Sequence, residues 1–236
     1  MMKKAIRITV AVLLLVFAVF LTVYLTATVN VLEPGAPDFT PVKDDVAAGD
    51  YAPSLLSNDT FGFPQKCYYR AARDGSGNLH IAYHPVWEYE RNDSGGLMPL
   101  LSRMFYTGGL RIQRVMFGKG DVEVISVTVD RHGVGTAIEY ERPKNYNPST
   151  FTVSHEKVAL QSTFATTPPF RVASWNHLFE NTDGADAAPR TGERAWRCTP
   201  EYFTDALWEE YTMVRLKETR LRKSRAHLAW ERTSAK

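Results

Sequence analysis

Hydrophobic and polar positions alternate in three different ways along the chain, and each pattern predicts a different element. From Ile8 to Val29 no charged residue occurs for 22 positions. As a helix rising about 1.5 Å per residue, such a run covers a hydrocarbon core of about 30 Å, which predicts one N-terminal transmembrane helix over residues 8–29. From Asn30 to about Pro64 neither a period of two nor one of 3.6 is sustained, and Pro, Asp and Gly recur, which predicts a tether. Beyond Pro64 the apolar positions alternate. Cys67 to Ala72 leads into the turn sequence Asp74-Gly75-Ser76-Gly77-Asn78, and Leu79 to Tyr89 follows as an aromatic strand, which together read as a hairpin.

Further strands are predicted at Leu110 to Phe117, Val122 to Val129, Thr136 to Glu141, Phe151 to Leu160 and Phe170 to Ser174, rich in Val, Ile, Thr and Phe and punctuated by Gly, Pro or Asn. Asn92 to Gly109 reads as a short helix or a packed loop. At Thr199-Pro200-Glu201 the pattern changes again. An N-cap residue, a proline at the first helical position and an early acid predict a long helix that runs to about Trp230, with Leu207, Tyr211, Val214, Leu221 and Leu228 on one stripe. The resulting expectation is a mainly β fold, an antiparallel β-sandwich or open barrel over residues 65–198. It carries a long C-terminal α-helix over 199–236, with the transmembrane segment (1–29) and tether (30–64) before it.

Charge orients this arrangement. Lys3, Lys4 and Arg7 precede the apolar run, whereas Glu33, Asp38, Asp44, Asp45 and Asp50 follow it with only Lys43 between. The positive-inside rule then keeps the N-terminus in the cytoplasm and sends the globular part to the extracytoplasmic side, periplasmic or extracellular. A cleaved signal peptide is the rival, but Leu25-Thr26-Ala27-Thr28 makes a poor cleavage site. A net charge of +2 hides a division, since residues 215–236 hold 8 basic against 2 acidic side chains while the body is acidic. Arg215, Lys217, Arg220, Arg222, Lys223 and Arg225 exceed what a helix dipole needs, so they mark a binding surface for an anionic membrane, envelope polymer or acidic protein. Nothing in the composition points to nucleic acid. Cys67 and Cys198 sit near the two ends of the globular part, where an oxidising compartment would permit one disulfide.

Chemistry-bearing residues are sparse. On the strand around His84, the residues His80, Ala82, His84, Val86, Glu88 and Glu90 share one face, and two histidines with two carboxylates there are metal-ligand types. Asp121 and Glu123 project to one side at the start of another strand, as general acid and base or hard-metal ligands would. His177, in Trp175-Asn176-His177, adds a third polar group. Against this reading, the polar face of a half-exposed strand is solvated by default, and no compact ligand motif is present. On that view Asp121→Ala weakens stability only slightly.

The segments Tyr83 to Asn92, Asp121 with Glu123, and Phe170-Arg171-Val172-Ala173 with His177 resemble, in order, the Vps62-like and necrosis-inducing-protein-like β-sandwich families, in which an aromatic strand precedes a glycine-aspartate-tryptophan-glutamate motif. Here Val122 stands between the two acids, and Gly118 and Gly120 replace the histidines that precede the aspartate in the necrosis-inducing proteins. The resemblance implies a β-sandwich more than a metal site. Two functions follow from the sequence. The first is a membrane-anchored extracytoplasmic binding or structural module of the cell envelope, without a cofactor. The second is an extracytoplasmic metal-dependent, hydrolase-like enzyme with a divalent ion at His84, Glu88, Asp121, Glu123 and His177. Absent catalytic motifs favour the first.

Overall fold

A computed structural model describes residues 7–18, 38–88, 96–97, 120–149, 152–182, 184–204 and 206–207. Two β-sheets enclose one core. The larger sheet contains β1 (Thr40–Val42), β3 (Lys66–Arg73), β4 (Leu79–Trp87), β6 (Ile125–Val129), β7 (Gly135–Asn147) and β8 (Thr152–Phe164) in that spatial order. Beside this path β5 (Asp121–Val122) pairs with β4 and β12 (Pro200–Tyr202) pairs with β3. The smaller sheet runs β10 (Phe179–Asn181), β9 (Phe170–Val172), β2 (Ser54–Ser57) and β11 (Arg194–Arg197). Pairing is antiparallel except between β12 and β3 and between β2 and β9.

Alternation along the strands builds the core. Tyr69 and Ala71 of β3, Leu79, Ile81, Tyr83 and Trp87 of β4, and Ile125, Val127 and Val129 of β6 face Leu55, Phe170, Val172 and Phe179 of the smaller sheet. The hairpin turns are closed by aspartates. Asp74 Oδ1 accepts from Ser76 N and Asn78 N at 2.9 Å each, and Asp130 Oδ1 accepts from His132 N at 2.8 Å and Val134 N at 2.9 Å.

The stretch expected to be a tether is part of the fold. Within it lie β1, a one-turn helix (Asp45–Asp50) capped by Asp44 Oδ1 on Ala47 N at 3.1 Å, and β2 at the centre of the smaller sheet. Tyr83 donates its hydroxyl to Ala48 O at 2.9 Å and Tyr69 to Asp45 Oδ1 at 2.6 Å, so the core strands hold that short helix. Burial, above all, raises both phenols above their ordinary range.

Two helical expectations are corrected. Pro200 opens β12 rather than a helix: its missing N–H is tolerated at a strand's first residue, and Tyr202 and Phe203 gain more from burial against Tyr69 and Tyr68. The ring of Phe203 stacks on Tyr68 at 4.6 Å and its N–H donates to Tyr69 O at 2.8 Å. Thr204, rather than Thr199, takes the capping role, accepting from Leu207 N at 3.3 Å. Helical backbone is found there only at 206–207, and no long C-terminal helix exists among the described residues. Residues 208–236, including Arg215, Lys217, Arg220, Arg222, Lys223 and Arg225, lie outside them, as does the strand expected at 110–117.

At the other end, helix covers residues 7–18, and no helix among the described residues is long and apolar enough to cross a membrane. The expected transmembrane helix over 8–29 is thus corrected to the helix described over residues 7–18. Residues 19–37 lie outside the described part.

Candidate functional site

The polar residues meet at the tight turn Ser174 to Leu178, between β9 and β10. Ala173 N donates to Leu178 O at 2.8 Å, His177 N to Ser174 O at 3.0 Å, and Leu178 N to Ser174 Oγ at 3.2 Å. These bonds hold His177 at φ +59°, a left-handed conformation that a side chain with a Cβ adopts at a cost. The turn thereby aims His177 inward, where it is wholly buried.

The chain then surrounds this imidazole. Trp87, the last residue of β4, lies parallel to it with ring centroids 4.3 Å apart and planes 7° apart. Asp121 is paired opposite Trp87 in β5, and its Oδ2 lies 2.6 Å from His177 Nδ1. On the far side Nε2 lies 2.9 Å from Phe61 O. A backbone carbonyl only accepts, so Nε2 carries a proton. One further proton lies between Nδ1 and the Asp121 carboxylate. No lone pair of His177 is left for a metal or a substrate. The strand entry depends on Gly120, at φ +77°, where a Cβ would come within 2.5 Å of Trp87 O.

The same turn carries a second histidine–carboxylate pair. Asn176 Nδ2 lies 3.1 Å from His155 Nε2 on β8, and His155 Nδ1 lies 2.5 Å from Glu141 Oε2 on β7. Asn176 Oδ1 accepts from Ser174 Oγ at 2.7 Å. With the amide nitrogen facing it, Nε2 of His155 accepts and Nδ1 donates to Glu141. Tyr146, whose phenol is raised chiefly by burial, hydrogen-bonds the backbone of Trp175. A relay therefore links the β7–β8 ribbon to the turn.

Of the five candidate metal ligands, Asp121 and His177 come together. His84 is paired with Tyr68 on the face of β4 opposite Trp87, buried and with Phe203 at its edge. Glu88 is exposed just beyond β4. Glu123, also buried, continues the strand from Asp121, its N–H donating to Pro85 O at 3.3 Å. Among the described residues no three His, Cys, Asp or Glu side chains are grouped to hold a metal ion. The solvated strand face expected around Asp121 is also corrected, because Asp121 is buried and paired.

Sequence reasoning passed over Trp87 as a stacking partner, and Glu141, His155 and Phe61 altogether. His155 occupies a polar position of a predicted strand, which is no signal by itself. Its importance lies in the 21-residue separation from Asn176. Cys67 and Cys198, 131 residues apart, form a disulfide with Cα atoms 5.6 Å apart, where the chain passes from β11 in one sheet to β12 in the other. The chain matches no family model, no curated protein and no solved structure.

Proposed function

We propose that this protein is an extracytoplasmic binding or structural module of the cell envelope, rather than a metal-dependent hydrolase. The observation that carries this reading is the saturation of His177, whose two nitrogens and one ring face are all engaged inside the core. A histidine spent in this way fixes a turn and leaves no base, ligand or nucleophile activator behind. The Cys67–Cys198 bridge supports an oxidising compartment. In this reading the basic run from Arg215 to Arg225 serves an anionic surface, lipid or protein.

Metal content and thermal stability of the purified protein test the proposal together. The expected result is no stoichiometric transition metal and an unchanged melting temperature after chelation. A bound ion near one per chain, lost together with stability on chelation, would instead establish the metal-dependent alternative.

A further inference from the structure

We infer that β8 is a self-pairing edge that joins two copies of this chain antiparallel about a two-fold axis at Ala159. The inference does not depend on the proposed function. Other sheet edges are short: β1, β10 and β12 have three residues each and β11 has four. Strand β8 has 13 and, among the described residues, ends the larger sheet. Among the described residues, no backbone group of Val153 to Phe164 is hydrogen-bonded beyond the ladder to β7. Ala159, Gln161, Ser162 and Thr163 are exposed. A long open edge of this kind is a template for another strand unless charge repels it.

Here the charges are already neutralised within the chain. Glu156 meets Arg142 at 2.6 Å and Lys144 at 3.5 Å, Lys157 meets Glu139 at 3.0 Å, and His155 holds Glu141. The edge is left with no unopposed charge to act as a guard. A two-fold perpendicular to the sheet requires opposed residues of the same side-chain face, so the residue numbers of each pair sum to an even number. Placing the axis at Lys157 or Glu156 sets like charges directly opposite, and placing it at Val158 sets Glu156 against Leu160. Placing it at Ala159 sets Val158 against Leu160 of the second copy and Leu160 against its Val158. Both residues are half-buried and packed on the core, so this register continues the core across the joint. It also sets Lys157 against Gln161, Glu156 against Ser162 and His155 against Thr163, without a like-charge pair.

Both native cysteines are bridged, so a single added cysteine reports the register. In full-length protein, Ala159→Cys should form a covalent dimer on mild oxidation, whereas Thr163→Cys, opposed to His155, should not. Sedimentation of the unmodified chain should show a concentration-dependent dimer, and Ala159→Glu, which sets two carboxylates at the axis, should shift it to monomer. A chain that stays monomeric overturns the inference even if it binds an unrelated extended peptide at β8. So does a dimer that Ala159→Glu leaves intact, or equal cross-linking at 159 and 163. Should Ala159→Glu fail to fold, the two cysteine variants decide alone.

Discussion

The two histidine–carboxylate pairs at the ends of the Ser174–Leu178 turn have the same chemistry and nearly the same length, and differ in exposure. His177 and Asp121 are 0% and 10% exposed, whereas His155 and Glu141 are 39% and 9% exposed. Water can reach and replace the partner of His155. It cannot do so for His177, where removing one group leaves the other desolvated and alone. An intact buried pair is weak evidence of net stability, but breaking it is costly. The comparison assigns the inner pair to holding the fold and the outer pair to tethering a ribbon.

The largest effect should therefore come from the inner pair. Asp121→Ala should destabilise the protein by about 3–5 kcal/mol, the cost of leaving a buried ionisable partner unpaired. Denaturant unfolding would check this, and a loss below about 1 kcal/mol would return Asp121 to the status of a solvated strand residue. Gly120→Ala comes next, at more than about 1 kcal/mol, because it combines a positive φ with a clash on Trp87 O.

In a third pair, Asp74 with His80, the histidine lies between the other two in exposure, at 18%, and the pair tests the trend through pH. Burial opposes ionisation of Asp74, but hydrogen bonds from His80, Asn78 and the Ser76 and Asn78 backbone outweigh it and hold the carboxyl at about 2. A carboxyl depressed in the folded state binds fewer protons there than in the unfolded chain. Its stabilisation is thus complete above about pH 4 and is lost as the pH falls towards about 2. Asp74→Asn should flatten the acid limb of a stability profile over that window and leave the neutral region less stable by a constant amount. An unchanged acid limb would contradict the assignment.

The smallest effect belongs to the outer pair. Glu141→Gln keeps a hydrogen-bond acceptor beside a half-exposed His155, and should cost about 0.2–1 kcal/mol. A larger loss would mean that the ribbon and turn act as one unit with the inner pair.

The sequence made part of this legible, and the reasons are local. The strands β3, β4 and β6 were read within about three residues at each end, because alternation extends over five or more positions and Asp74-Gly75-Ser76-Gly77-Asn78 closes one of the turns, whereas β7 runs six residues past the expected end at Glu141. β1 and β2 have only three and four residues, too few for any period to register, so Asn30 to Pro64 looked like a tether, and β10, β11 and β12 are as short. Pro200 pointed to a helix start because N1 and the first residue of a strand both tolerate its missing N–H. The site was legible as residue types but not as an arrangement. Asp121 and His177 were singled out, yet their meeting spans a sequence separation of 56 residues and depends on a left-handed His177 that no local signal announces.

Nitrogen-15 spectra of labelled protein at neutral pH read directly which nitrogens of the two imidazoles carry protons. A proton is expected on His177 Nε2, exchanging only with global unfolding, and His155 Nε2 should be unprotonated and bonded to the Asn176 amide. An unprotonated His177 Nε2, or one whose shift moves on adding a divalent metal, would contradict that expectation and show that His177 is a working residue.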